Sequence, residues 1–131
     1  MKKYTAFVLL FTLALGAFAQ TKTTPKKEQD YYEIKTLPIP KEIYLEVGGL
    51  ATMPDGRLAV STRRGEIWIV ENPYQKSSHQ TYYRRFASGL HEVLGLAYKD
   101  GAFYCSQRGE LTKISDTDRD GVADLYEPIY Q

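Results

Sequence analysis

Gly49-Leu50-Ala51-Thr52-Met53-Pro54-Asp55-Gly56-Arg57-Leu58-Ala59-Val60-Ser61-Thr62-Arg63-Arg64-Gly65-Glu66-Ile67-Trp68-Ile69-Val70 is restated downstream as Gly95-Leu96-Ala97-Tyr98-Lys99-Asp100-Gly101-Ala102-Phe103-Tyr104-Cys105-Ser106-Gln107-Arg108-Gly109-Glu110-Leu111-Thr112-Lys113-Ile114. Gly49 and Gly95 stand 46 residues apart, Gly56 and Gly101 stand 45 apart, and Gly65 and Gly109 stand 44 apart. Each contraction falls where a turn is expected, so the pattern survives it. In both copies an Asp-Gly pair and then an Arg-Gly pair interrupt the apolar alternation, and such pairs mark hairpin reversals. Three strands per copy follow. A fourth is predicted in each, over residues 81–87 and 125–130.

Four strands in about 45 residues is the period of a β-propeller blade. The predicted fold is therefore all-β, with two four-stranded antiparallel blades of an incomplete propeller. A plain antiparallel sandwich is the alternative. Leu58 and Val60 share one face of the second strand. In the third, Ile67 and Ile69 oppose Trp68 and Val70, so both faces are apolar, as in a sheet packed on two sides. Trp68 reads as packing rather than as a ligand platform. Propellers close with about four to eight blades, so the expectation is a piece of a longer protein or a chain that pairs with others.

Upstream, residues 1–19 read as a secretory signal peptide. Lys2 and Lys3 precede an apolar run too short to span a bilayer, and Ala17-Phe18-Ala19 supplies a small-x-small cleavage site. An uncleaved anchor is the competing reading. The expected location is outside the cell or in a bacterial periplasm, with no membrane span after cleavage. Residues 20–40 read as a disordered and then proline-extended lead-in, and residues 41–131 as the two blades. Loss of Lys2 and Lys3 takes 17 basic residues to 15, against 16 acidic ones. A near-neutral chain without a basic run excludes nucleic acid as the expected partner. The single Cys105 rules out an internal disulfide and reads as a small buried residue.

The strongest chemical motif runs from Asp116 to Glu127. Carboxylates stand at loop positions 1, 3, 5, 9 and 12 (Asp116, Asp118, Asp120, Asp124 and Glu127), with Gly121 at position 6. Calcium takes six to eight oxygens, and this spacing aims alternate side chains inward while Val122 offers its carbonyl. A plain acidic turn is the bland reading. The upstream residues alternate like a strand, and Pro128 forbids a helix downstream, so the loop reads as a strand connection and the ion as structural. Outside the loop no phosphate-binding glycine loop, zinc-spaced Cys/His pair or Gly-x-Ser-x-Gly occurs.

Ser88-Gly89-Leu90-His91-Glu92-Val93-Leu94-Gly95-Leu96-Ala97, Gly101 to Leu111, and Asp116 to Tyr126 together resemble secreted bacterial proteins of the glucose/sorbosone dehydrogenase-like group. The resemblance covers roughly Val47 to Tyr130. It implies a six-bladed propeller holding pyrroloquinoline quinone, a sugar or aldose substrate, and a haem or cupredoxin domain as electron acceptor. It implies a catalytic role for His91, which precedes an innermost strand as the general base of such enzymes does. The family's cofactor-binding positions lie in later blades. A non-catalytic, calcium-stabilised propeller that serves as a binding or structural module is the alternative function. By blade topology, His91 and the Arg63, Arg64 and Arg108 turns belong at one end, opposite the calcium loop. A turn or packing residue is the plain reading of His91, and the polar surroundings of His79 make it a solvated side chain.

Overall fold

A computed structural model describes residues 25–32, 34–74 and 80–130. The predicted signal peptide at 1–19 and His79 lie outside the described residues. The chain divides into two units, Met1–Ile34 and Lys35–Gln131. In the first, a 3₁₀ turn occupies Glu28–Asp30, where no structure is expected. The Lys27 and Asp30 backbones are joined there, and the Lys27 N–H donates to Asp30 Oδ2 at 2.8 Å.

In the second unit, β1 (Val47–Thr52), β2 (Leu58–Thr62), β3 (Ile67–Glu71) and β4 (Tyr82–Ala87) form one antiparallel meander. A second meander follows in the same order: β5 (Gly95–Lys99), β6 (Ala102–Ser106), β7 (Leu111–Ser115) and β8 (Leu125–Tyr130). The repeat is thus two four-stranded antiparallel sheets. Both Asp-Gly turns place glycine in the left-handed region, at φ 87° for Gly56 and 83° for Gly101.

Register assigns each side chain to a face. Ala51, Ala59, Ile69 and Arg84 stand opposite one another across sheet one, as do Leu50, Val60, Trp68 and Arg85 on its other side. In sheet two, Tyr98, Phe103, Ile114 and Tyr126 share one face, and Ala97, Tyr104, Lys113 and Glu127 share the other. The core lies between the Ile69 face of the first sheet and the Phe103 face of the second. Ile67, Ile69, Phe103, Cys105 and Ile114 are fully buried there. Burying such a side chain contributes about 1.5–3 kcal/mol. Phe103 receives the rings of Phe86 and Tyr98 edge-on, with centroids 5.0 and 4.9 Å away.

The two sheets meet backbone to backbone at their inner strands. A Cβ on Gly48 would fall 1.8 Å from the Val93 carbonyl oxygen, and one on Gly65 would fall 1.8 Å from that of Leu90. Only glycine admits that approach. Cys105 is buried as the sequence suggests, and burial pushes its thiol up to about 11. It therefore carries no thiolate near neutral pH.

Candidate metal centre

The loop from Asp116 to Asp124 leaves the end of β7 and returns to β8, and its path is set by its own carboxylates. Asp116 Oδ2 accepts the Gly121 N–H at 2.9 Å, and Asp118 Oδ1 accepts that of Asp120 at 3.2 Å. Asp120 Oδ1 accepts the Val122 N–H at 2.7 Å. Gly121 at φ 93° and Arg119 at φ 64° supply the left-handed bends that close the loop. One ligand-capable oxygen from each of Asp116, Asp118 and Asp120 lies within 4.8 Å of the others. Asp116 Oδ1 is buried and has no hydrogen-bond partner. A buried carboxylate oxygen without a donor is costly, and a cation would satisfy it.

Asp124 and Glu127 stand apart from this cluster. Asp124 spends both oxygens on Thr117, taking its N–H at 2.8 Å and its hydroxyl at 2.5 Å. Those donors hold its carboxyl below the ordinary carboxylate range. Glu127 is inside β8, opposite Lys113, and accepts from its ammonium at 2.8 Å. Strand alternation puts that pair on the side of sheet two away from the core. Three of the six residues named from the sequence converge, with Val122 adjacent and the two later carboxylates engaged locally. Calcium still fits the donor set: three carboxylates, a nearby carbonyl and water can complete an oxygen shell.

Long-range contacts tie this loop to the first sheet. The Ala123 N–H donates to the Phe86 carbonyl of β4 at 2.8 Å. The guanidinium of Arg84 packs on Gly121 so closely that a Cβ there would lie 1.6 Å from its Nη1. Arg84 also approaches Glu71 at 3.6 Å, and Arg57 reaches the same carboxylate at 3.3 Å. Asp116, Arg84, Arg57, Met53 and Phe103 help line a cleft of about 440 Å³ between the sheets. Sequence reasoning missed Arg84, since only a contact distant in sequence reveals it.

His91 lies at the opposite end. Its N–H donates to Gln107 Oε1, and its carbonyl accepts the Arg108 N–H at 3.0 Å. Leu90 donates to the Gly65 carbonyl at 3.0 Å, which brings the β2–β3 turn to the same end. The His91 ring is exposed and, among the described residues, has no hydrogen bond or ion pair. Glu92 turns instead toward Arg108, 3.7 Å away. Gln107 continues inward to Glu110 at 3.0 Å and to the buried Thr112 hydroxyl at 2.6 Å. This holds the backbone around His91 without orienting its imidazole. No protein-family model, curated protein or solved structure matches the chain.

Proposed function

We propose that this chain supplies two calcium-pinned blades to an exported β-propeller of the glucose/sorbosone dehydrogenase-like kind. The observation that carries the calcium part is the convergence of Asp116, Asp118 and Asp120 around the unpartnered Asp116 Oδ1. Those three would hold the ion with the Val122 carbonyl, in a loop hydrogen-bonded across to β4. Its role is structural: it neutralises the carboxylates and fixes the loop that spans the two sheets. The propeller reading rests on the two repeated meanders, and the sugar-oxidising reading on the His91 and Arg108 segments of the sequence. In that reading His91 would take the hydroxyl proton of a sugar, and pyrroloquinoline quinone, which residues outside these two sheets would hold, would supply the hydride-accepting chemistry, with a haem or cupredoxin domain as electron acceptor.

The exposed, unoriented imidazole favours the second reading, a non-catalytic calcium-stabilised module that binds a partner or has a structural role. Catalytic bases are commonly held by a further group. Oxidation of aldoses by the complete gene product, loaded with pyrroloquinoline quinone and a dye acceptor, separates the two. The enzyme reading expects dye reduction that falls about a hundredfold in His91→Ala. Its folding should be unchanged, since the residue is exposed and its ring makes no hydrogen bond or ion pair among the described residues. An inactive wild type across a broad sugar panel would leave the structural module.

A further inference from the structure

The side of sheet one away from the core carries a groove of about 500 Å³, lined by Glu42, Tyr44, Arg64, Glu66, Trp68 and Arg85. Trp68 of β3 and Arg85 of β4 stand opposite one another in the register, and Glu42 and Tyr44 come from the segment ahead of β1. The sequence makes Trp68 a packing residue, yet in the fold its side chain is only half-buried and borders the groove. The indole's one polar atom is already satisfied, because Nε1–H donates to Glu66 Oε2 at 3.0 Å. What remains for a ligand is an oriented apolar ring. Tyr44 is 61% exposed, and the Arg64 guanidinium lies over its ring, 4.6 Å from the centre. That cation–π contact holds the second ring in place.

The polar groups beside these rings differ in what they still offer. Glu66 is engaged on both oxygens, by Trp68 and, at 3.4 Å, by Arg85 Nη1. Arg85 has further N–H donors on a side chain that is 57% exposed. Glu42 is exposed and, among the described residues, makes no hydrogen bond or ion pair, so its carboxylate is a free acceptor. Two carboxylates and two guanidiniums leave the lining with no net charge, which favours neither a phosphate nor an ammonium ligand. The same charges make it a poor seat for an apolar chain. A sugar ring suits it: each hydroxyl both donates and accepts, matching a carboxylate beside a guanidinium, and the C–H faces can lie on aromatic rings. The volume falls within the range of about 300–1,000 Å³ usual for small-molecule sites. We propose that this groove binds a neutral saccharide, stacked on Trp68 and Tyr44 and hydrogen-bonded by Glu42 and Arg85. His91 lines a different depression, with Gln107 and Glu110, and the Asp116 loop contributes nothing to the groove. Saccharide binding here requires neither sugar oxidation nor calcium, so it stands or falls separately from both.

Trp68 is the one tryptophan of the chain, so its fluorescence reports on the groove alone. The test is titration of the chain, without quinone, with neutral oligosaccharides of glucose, mannose, galactose and N-acetylglucosamine, and with oligogalacturonate as the anionic control. Calorimetry with the same sugars accompanies it. At least one neutral series should give a saturable response, stronger than that of oligogalacturonate. Tyr44→Ala removes one ring and Glu42→Gln the free carboxylate, both at exposed positions, and each should weaken binding roughly tenfold with an unchanged melting temperature. Tyr130→Ala, which removes an exposed ring of sheet two, should leave binding as it is. If Tyr44→Ala melts early, Glu42→Gln alone decides. No response to any neutral series by either method overturns the proposal, as does tighter binding of oligogalacturonate. A response that survives Glu42→Gln and every folded Tyr44 variant also overturns it, since the sugar would then sit elsewhere.

Discussion

Asp116 sits where two demands meet. It follows Ser115, whose side chain points away from the core, so alternation sends Asp116 to the core side beside Phe103 and Arg84. Glu127 points the other way and is paired with Lys113. Calorimetry should therefore find that Asp118→Asn weakens calcium binding at least tenfold, while Glu127→Gln changes it by no more than a few-fold. The reverse order would place Glu127 in the shell after all. Asp124 gives a pH prediction. Thr117 lowers its pKa in the folded state, so between the folded and unfolded values the unfolded chain binds more protons. Its stabilising contribution is full above the unfolded value of about 4 and is lost as pH falls through the folded one. Thr117→Val should flatten the acid limb of the stability profile, measured by denaturation from neutral pH downward. An unchanged limb would exclude the Thr117–Asp124 bond as a source of acid sensitivity.

At the scale of elements, the glycines separate turn chemistry from close approach. Gly56 and Gly65 both have positive φ, but a Cβ on Gly56 meets nothing within 4 Å, whereas one on Gly65 meets the Leu90 carbonyl. Gly56→Ala should cost only the left-handed strain, roughly 1–2 kcal/mol. Gly65→Ala should add an overpacking cost of about 1–3 kcal/mol. Urea denaturation of the pair checks this, and equal losses would mean that the β2–β3 turn does not press on the β4–β5 connection. These turns were also what made the fold legible. The Asp-Gly pairs fall in the β1–β2 and β5–β6 turns and the Arg-Gly pairs in the β2–β3 and β6–β7 turns, and β8 runs over the predicted 125–130. Local sequence could not show the register shifts between Val47 and Gly49, Ile67 and Trp68, or Leu111 and Thr112, which depend on how each strand meets its neighbour. Nor could it show which carboxylates converge. Twelve residues give the spacing of a full loop, but Thr117 competes for Asp124, and Lys113, in the preceding strand, competes for Glu127.

Across the whole molecule, the loop 116–124 joins what the repeat leaves separate. Each sheet closes its own hydrogen-bond ladder, and the buried side chains between them set no direction. The Ala123–Phe86 bond and the Arg84–Gly121 contact are directional links from loop to first sheet. An ion holding Asp116, Asp118 and Asp120 would therefore stabilise the pair of sheets and not the loop alone. A ligand bound only by the folded state contributes RT ln(1 + [L]/Kd), about 2.7 kcal/mol at a hundredfold excess over Kd. For a domain of this size that corresponds to a rise of roughly 10–20 °C in melting temperature. Magnesium should give little of it, because it demands a tighter octahedral shell. The most direct measurement is thermal melting of the chain in millimolar calcium and again after chelation, with Asp116→Asn alongside. Chelation should lower the wild-type melting temperature by about that amount, and the variant should melt at the same temperature in both conditions. Identical melting curves for the wild type with and without calcium would contradict it.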